Sequence, residues 1–199
     1  MTRSRNREAT RAALLEAAKT VLAGQGFQAF GINAVARQAG CDKQLIYRYF
    51  DGLEGLLAAI GEDIAQWIGS VSSVASAPDD TYARKMARMA DAYLLALRDN
   101  ALMQKILLWE LSAAPQDVRP LALARGKAMG QWMMRARGDS QPPQGVDFAL
   151  INAASVAIIQ QTVLSAAATG GFSGLPLQSD ADWQRLREGL SAMIAKLYA

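Results

Sequence analysis

One short segment carries side chains suited to reading DNA, namely Lys43, Gln44, Tyr47 and Arg48. An arginine guanidinium can donate two hydrogen bonds to a guanine edge, and a glutamine amide can pair with adenine. Each contact discriminates against the wrong base by roughly 1–3 kcal/mol. Leu45 cannot hydrogen-bond a base edge but can contact a thymine methyl group. These side chains are therefore suited to recognising bases in the DNA major groove.

The segment is predicted to be the second of two short helices joined by a tight turn. The first helix carries an apolar stripe at helical spacing, formed by Ile32, Val35, Ala36 and Ala39. Gly40 can adopt the positive φ that ends a helix, and the Asp42 carboxylate can cap the next one.

In the second helix Ile46, Tyr49 and Phe50 share the inward side, whereas the DNA-reading side chains point outward. Two short helices joined by a glycine turn are typical of a helix-turn-helix, whose second helix enters the major groove. A supporting helix is predicted from about Glu8 to Ala23, ended by Gly24 and Gly26. Its apolar face is formed by Leu14, Leu15, Ala18, Val21 and Leu22, and Phe27 and Phe30 would pack it onto the pair.

The run from Arg11 to Leu57 resembles the DNA-binding domain of the TetR family of one-component repressors. The resemblance lies in the successive stretches LLEAAKTVLAGQGF, INAVARQAGC, DKQLIYRYF and GLEGLL. It implies that Lys43 and Tyr47 contact phosphates, which positions the helix without specifying sequence. Two residues depart from the family pattern. At Gly31 the family usually has a Ser or Thr that caps the second helix, and at Leu45 it commonly has a small residue with a hydroxyl group. The predicted DNA-contacting set is Gly31, Asn33, Lys43, Gln44, Leu45, Tyr47 and Arg48.

The charge distribution agrees with a polyanionic partner. Residues 1–51 carry eight Lys or Arg against four Asp or Glu, whereas the remainder carries thirteen against fourteen. The basic end is therefore the end with the helix-turn-helix. The arginines at positions 3, 5, 7 and 11 would form a mobile arm or first turn near phosphates.

The composition excludes several kinds of active site. The chain has no histidine and one cysteine, so histidine acid–base catalysis, Cys/His zinc sites and internal disulfides are all excluded. Glu110, Asp117 and Ser155 could be imagined in an enzyme, but no catalytic spacing supports one. Cys41 reads as a small buried residue, with a redox-sensing thiol as the alternative. The amino-terminal segment lacks a secretory pattern, so we expect a cytoplasmic protein without a cofactor.

The whole chain is predicted to be all-α, with about nine helices. Residues 1–51 would form the DNA-binding domain and residues 52–199 a larger effector-binding and dimerisation domain. Asp51 and Glu54 have capping-box spacing ahead of a long helix. The stretch SVASAPDD reads as a linker, with Asp79 or Asp80 capping the next helix to about Asn100. Further helices are expected over 102–111 and 121–137, with a break around Pro115 and Pro120. No strand is predicted, and GGFSGLPLQS reads as a flexible stretch.

The last two helices are predicted at about 147–170 and 180–198. No charged residue occurs from Phe148 to Gln178, a stretch long enough to span a bilayer. Polar residues at its centre, such as Gln160 and Thr162, favour a buried helix of a water-soluble protein. The two helices of each protomer would form a four-helix dimer seam, an arrangement that the resemblance also implies. The alternative is an internal core pair in a monomer.

The middle helices contain many methionine and aromatic residues, which fill cores and also line adaptable apolar pockets. The resemblance favours a pocket for a mostly apolar small molecule, with Gln160, Thr162, Asn152 or Glu110 as orienting polar groups. The candidate effector-binding residues are Met86, Met89, Tyr93, Met103, Trp109, Met129, Trp132, Met133 and Gln160. The function implied is a repressor that binds a palindromic operator as a dimer and is released by an effector. An effector-independent DNA-binding protein and an activator stay open as alternatives.

Overall fold

The computed structural model describes residues 2–71, 80–112 and 115–198. Within these residues the chain forms nine α-helices and one two-stranded antiparallel sheet. The elements in order are α1 (Thr2–Ala29), α2 (Ile32–Ala39), α3 (Gln44–Phe50), α4 (Leu53–Ser70), α5 (Tyr82–Arg98), α6 (Ala101–Ser112), α7 (Pro115–Arg137), α8 (Phe148–Thr169), β1 (Gly171–Phe172), β2 (Leu175–Pro176) and α9 (Asp180–Leu197). The all-α class is confirmed.

Helix α1 begins at Thr2, well before the predicted start at Glu8, so the basic residues near the start of the chain lie in a helix rather than in an arm. Gly26 interrupts the helix with φ 75° and ψ −179°, and one further turn reaches Ala29. The predicted stop at Gly26 is confirmed, whereas Gly24 lies inside the helix. The predicted apolar face is buried at Leu14, Leu15, Ala18, Val21 and Leu22, as are Phe27 and Phe30.

The predicted capping box at Asp51 and Glu54 is wrong. Asp51 closes α3 instead, in the left-handed region with φ 58°, and its backbone N–H donates to the Tyr47 carbonyl at 2.9 Å. The backbone of Gly52 then opens α4, because the Leu56 N–H donates to the Gly52 carbonyl at 3.2 Å. Only two residues separate the helices. Because Asp51 ends α3, it does not cap the start of α4.

The start of α5 differs from the prediction as well. Thr81 caps it, with its hydroxyl accepting from the Arg84 N–H at 3.3 Å. The predicted linker lies outside the described residues except for Asp80, and Asp79 lies outside them too.

The predicted break around Pro115 and Pro120 is also wrong, because α7 begins at Pro115 and contains Pro120. Proline is tolerated in a first helical turn, where its missing N–H has no partner to lose. Pro120 stands five residues after the start of α7, so its missing N–H removes one hydrogen bond near the beginning of the helix.

Helices α8 and α9 begin and end close to the predicted positions. The Asp147 carboxylate accepts from the Leu150 N–H at 3.0 Å, and Gly170 ends α8 with φ 80°. Ser179 and Asp182 form a capping box at the start of α9.

Between α8 and α9 lies a hairpin that was not predicted, in which Gly171 pairs with Pro176 and Phe172 with Leu175. Its two turn residues, Ser173 and Gly174, both have positive φ. This is the conformation that a two-residue hairpin turn requires.

The chain packs into two compact units, one formed by Met1–Gly69 with Lys105–Met129 and the other by Ser70–Gln104 with Gly130–Ala199. In the first unit α1 packs against α2. In the second unit α5 packs against both α8 and α9. The predicted boundary after residue 51 concerns function rather than packing and stays a prediction.

Candidate functional site

The turn between α2 and α3 is fixed by backbone hydrogen bonds around Gly40. Its φ of 64° and ψ of 35° are left-handed. The Cys41 N–H donates to the Ala36 carbonyl at 3.0 Å, and the Gly40 N–H donates to the Arg37 carbonyl at 3.2 Å. This pair of bonds is a Schellman motif, which satisfies the last carbonyls of α2. The predicted glycine turn is confirmed.

The Asp42 side chain caps the following helix as predicted. Its Oδ1 accepts from the Gln44 N–H at 2.8 Å, and its carbonyl accepts from the Leu45 N–H at 3.0 Å. A side-chain acceptor at this point replaces a partner that the first helical N–H groups lack. The direction of α3 is therefore set by its first residues.

The two faces of α3 differ as predicted. Ile46 is fully buried and Phe50 nearly so, while Tyr49 is half-buried. The outward residues Lys43, Gln44, Tyr47 and Arg48 are all exposed, and Tyr47 exposes 55% of its surface. Leu45 is half-buried at the edge between the faces. The sequence thus places four side chains of the predicted DNA-contacting set on one accessible surface.

The remaining two members of that set lie at the start of α2. Gly31 is the N-cap residue, in an extended conformation and without a side-chain hydrogen bond. Asn33, two residues further along, is exposed. A helix N-terminus presents unsatisfied N–H groups, which suit a phosphate oxygen.

Two contacts to α1 hold this region together. The Arg11 guanidinium lies 5.1 Å from the centroid of the Phe50 ring, a cation–π contact. The Lys19 ammonium, which is almost completely buried, contacts the Asp63 carboxylate of α4 at 2.7 Å and that of Glu16 at 2.5 Å. Burial alone would lower the pKa of Lys19, but these two carboxylates raise it on balance. The buried lysine was not found from sequence, because one charge on a helix gives no burial signal.

Cys41 is half-buried in the turn. Burial, and secondly the charge of Asp42, raise the pKa of its thiol above the ordinary 9.0. The thiolate is the reactive form of cysteine, so this environment disfavours the redox-sensing alternative.

A second site, called here the ligand pocket, lies in the unit formed by Ser70–Gln104 and Gly130–Ala199. Five of the nine candidate effector-binding residues line it, namely Met86, Met89, Tyr93, Trp132 and Met133. Its free volume is about 20 Å³, and roughly 10–15 Å³ suffices for one water molecule. The pocket is therefore narrow, and a larger guest needs its walls to move.

The lining of the ligand pocket is mainly apolar. Among the described residues that line it, none is charged, and the polar ones are Asn152, Ser155 and the two phenols of Tyr93 and Tyr198. The Gln160 amide donates to the Tyr93 hydroxyl at 2.9 Å, which places this predicted residue beside the pocket rather than in its wall. Such a lining suits an uncharged guest with few polar groups.

The other candidates lie elsewhere. Met103 and Met129 are buried without lining the pocket. Trp109 belongs to the first unit, where its indole N–H donates to the Ala23 carbonyl at 3.2 Å. Glu110 is paired with Arg125 at 2.7 Å, also in the first unit. Thr162 donates to the Ile158 carbonyl within its own helix.

Tyr198 is the pocket residue that sequence reasoning missed. It lies one helical turn beyond Ile194, so continuing the apolar face of α9 by four residues would have found it. Burial, and secondly its neighbour Tyr82, raise the pKa of its hydroxyl well above the ordinary 10.0.

Comparison with known proteins bears on the helix-turn-helix. The family model described as bacterial regulatory proteins, tetR family, matches residues 14–60, which include α2, α3 and the turn between them. Residues 14–60 therefore carry the DNA-binding domain of TetR-family transcriptional regulators. The family is not enzymatic, which agrees with the expected lack of an active site.

Solved structures resemble this chain in fold over nearly its full length. A TetR family transcription regulator from Marinobacter aquaeolei VT8 is 18% identical, covering 99% of this chain and 98% of its own, with a TM-score of 0.63. FadR from Bacillus subtilis, in complex with stearoyl-CoA, is 18% identical with coverages of 94% and 99% and a TM-score of 0.65. GusR of Salmonella enterica is 14% identical, with coverages of 96% and 95% and a TM-score of 0.67. At these identities the likeness concerns the fold. A comparison with curated proteins found no match.

Proposed function

We propose that this TetR-family regulator is a repressor that binds a palindromic operator as a homodimer and leaves it when a small, mostly apolar molecule enters the ligand pocket. The observation that carries the DNA-binding part is the outward face of α3. Four side chains with DNA-reading chemistry are exposed there, on a helix whose other face is buried. Arg48 and Gln44 are assigned to base edges, and Lys43 and Tyr47 to phosphates.

The homodimer is supported by the exposed surface of α8. This helix is long and apolar enough to cross a membrane, yet only 22% of its most apolar window is buried within the chain. Its outward residues recur at helical spacing, as Leu150, Ala153, Ala154, Ala157, Ile158 and Ala168. Small side chains let two helices approach closely, so a second copy is the proposed cover. The polar residues at the centre of α8, Gln160, Gln161 and Thr162, argue against a bilayer.

Helix α9 has an exposed surface of its own. Arg185 and Glu188 are exposed on it, as are the small residues Gly189 and Ala192. Related by a twofold axis, such a surface brings a basic side chain of one copy within reach of an acidic one of the other. A cytoplasmic location follows from the proposed DNA partner.

The dimer is tested by solution mass. We expect wild-type protein at micromolar concentration to sediment as a dimer, and the Ala157→Arg variant as a monomer, because two charges would be buried in the seam. Ala12→Arg, on an exposed position of α1, is the matched control and should stay dimeric. A wild-type mass near 21.4 kDa would contradict the proposal.

Release by an effector is supported by the character of the ligand pocket. Methionine side chains adapt to guests, and the pocket must widen to admit one. FadR from Bacillus subtilis was solved in complex with stearoyl-CoA, so one protein of this fold binds a molecule with a long apolar part. Helix α4 follows α3 after only two residues. A guest that favours a displaced α4 would change the spacing of the two recognition helices, and a difference of about 1–3 kcal/mol weakens operator binding 5- to 150-fold.

DNA binding is tested first by selection from randomised duplexes. We expect enrichment of a palindrome whose half-sites lie about one helical turn, roughly 10 base pairs, apart. Anisotropy titration should then show that the variant combining Lys43→Glu, Tyr47→Ala and Arg48→Ala loses binding, with a shallower dependence of affinity on salt. Lys127→Glu, an exposed charge change on α7, is the control and should bind as wild type. Unchanged affinity of the combined variant would contradict the proposed interface.

The effector-dependent part has its own test. Screening small apolar compounds for thermal stabilisation, followed by operator titration with each hit, should yield a compound that lowers operator affinity at every salt concentration. Stabilising compounds that leave operator affinity unchanged would favour the effector-independent alternative. A reporter gene placed behind the selected operator separates a repressor from an activator.

A further inference from the structure

Tyr198 is held in the ligand pocket in the way that a bound phenol would be. Its side chain is 3% exposed, and its hydroxyl donates to the Asn152 Oδ1 at 2.7 Å. Its ring stands edge-on to that of Tyr82, with centroids 5.1 Å apart and an interplanar angle of 71°. A second acceptor, the Phe148 carbonyl, is 3.5 Å away. One edge-to-face ring and one short hydrogen bond therefore define a subsite for a hydroxylated aromatic ring.

Tyr198 lies at the end of a helix, and its side chain is therefore easier to displace from the pocket than those of the other lining residues. Helix α9 ends at Leu197, and Tyr198 has the non-helical φ of −108° and ψ of 7°. The neighbouring residues Lys196 and Leu197 are exposed, so the packing lost when the last turn opens is mainly that of Ile194 and of Tyr198 itself. Displacing Trp132 or Ile159 instead would break a helix in its middle. Helix ends open at far lower cost than helix interiors.

We infer that the ligand pocket binds a neutral phenol, which takes the place of the Tyr198 side chain and donates its hydroxyl to Asn152. This inference rests on the proposed effector role of the pocket and names the chemical class of its ligand. The described lining fits the class, because Met86 and Trp132 line the pocket and Tyr82 stands edge-on to the position of the ring, while the Asn152 Oδ1 accepts one hydrogen bond. A carboxylate or an amine would carry a charge that no described residue of the lining pairs.

The protonation state of the Tyr198 hydroxyl agrees with a neutral phenol as the ligand. Burial raises the pKa of the Tyr198 hydroxyl, so the subsite keeps a phenol protonated and able to donate. A phenolate would face the Asn152 oxygen without a proton to share. The subsite should therefore discriminate against phenols that are ionised at the working pH.

The test uses 4-methylphenol, which reproduces the tyrosine side chain, and toluene, which lacks the hydroxyl. In the full-length Tyr198→Ala variant we expect saturable binding of 4-methylphenol by calorimetry. Its melting temperature should rise by about 3–6 °C at a ligand concentration ten times the Kd. Wild-type protein should bind at least about tenfold more weakly, since its own phenol competes. Toluene should bind the variant roughly fivefold to tenfold more weakly than 4-methylphenol, and adding Asn152→Leu should abolish that difference.

Equal responses of wild type and Tyr198→Ala would overturn the inference, as would no binding to the variant or equal affinities for the two compounds. If Tyr198→Ala does not fold, hydrogen exchange on the wild-type chain decides instead. Saturating 4-methylphenol should accelerate exchange in the last turn of α9, and unchanged exchange would equally overturn the inference. These assays contain no DNA. Binding with this pattern but with unchanged operator affinity would support the phenol site and contradict only the proposed release mechanism.

Discussion

The indole ring of Trp109 lies directly against Gly26. A methyl group at Gly26 would stand 2.8 Å from the indole Cδ2 and Cε3 atoms, and the residue has a φ of 75°. The indole N–H donates to the carbonyl of Ala23, three residues earlier. The kink at Gly26, which ends the main part of α1, thus makes room for the indole ring of Trp109 in α6.

Gly26→Ala is expected to destabilise the protein by about 2–4 kcal/mol, because it combines an unfavourable positive φ with a steric clash. Gly24→Ala is the matched control, since nothing lies within 4 Å of its added methyl group and it stands inside the helix. The control should be neutral or stabilising by up to about 1 kcal/mol. Urea unfolding measures both, and equal effects of the two substitutions would contradict this account of the kink.

The ion pair between Arg187 and Asp91 should couple α9 to α5. The Arg187 Nε and Nη2 donate to the two carboxylate oxygens at 2.6 and 2.7 Å, a bidentate geometry. About 30% of each side chain is exposed, so solvent screens the pair. A double-mutant cycle with Arg187→Gln and Asp91→Asn should give a coupling free energy of about 0.5–1.5 kcal/mol that shrinks in high salt. The same cycle on Arg98 and Asp99, whose single contact is 3.4 Å long, should give a smaller value.

Asp182 should make the start of α9 sensitive to acid. The backbone N–H of Ser179, and then its hydroxyl, donate to the Asp182 carboxylate and lower its pKa below the ordinary 3.8. A lowered folded-state pKa gives stability that is complete above the unfolded-state value and is lost as the pH falls through the folded-state value. Wild type should therefore be more stable than Asp182→Ala at pH 6, and the difference should shrink steadily below pH 3.8. Asp180→Ala, in the same helical turn, is the control. A difference independent of pH would contradict the role of the carboxylate charge.

Cys41 should react slowly at neutral pH. Because burial and Asp42 raise its thiol pKa, the thiolate fraction near pH 7.5 is smaller than that of a free cysteine. Alkylation with iodoacetamide should be slower than that of a model thiol, and its rate should still be rising with pH above pH 9.0, where that of an unperturbed thiol begins to level off. Since the chain has a single cysteine, total alkylation reports this site alone. Fast alkylation at pH 7 would revive the redox-sensing interpretation, and Cys41→Ser would then be tested for peroxide-insensitive DNA binding.

The helix-turn-helix could be predicted residue by residue because its determinants are local. Gly40, Asp42 and the alternation of Ile46 and Phe50 with exposed residues all act within two helical turns. Local signals failed where two elements compete for one residue, as at Asp51, which closes α3 instead of opening α4. The hairpin of β1 and β2 has only two residues per strand, too few for a period-two pattern to show.

The division of methionine and aromatic residues between core and pocket depends on tertiary packing. Met129 and Met133 stand one helical turn apart on α7, yet only Met133 lines the ligand pocket. Trp109 and Trp132 both lie in the middle helices, α6 and α7, yet one contacts the kink of α1 and the other lines the pocket. No spacing rule separates these pairs, because the partners that decide come from distant parts of the sequence.

The way in which α3 is anchored has a consequence for the evolution of this regulator. Its position depends on the Gly40 turn, the Asp42 carboxylate and the two buried residues Ile46 and Phe50, none of which is assigned to a base. Exchanging Gln44 or Arg48 therefore leaves the scaffold intact. On the proposed assignment of Gln44 and Arg48 to bases, a change of target promoter would need only one or two surface substitutions, and the protein could be retargeted, by selection or in the laboratory, without passing through a sequence that fails to fold.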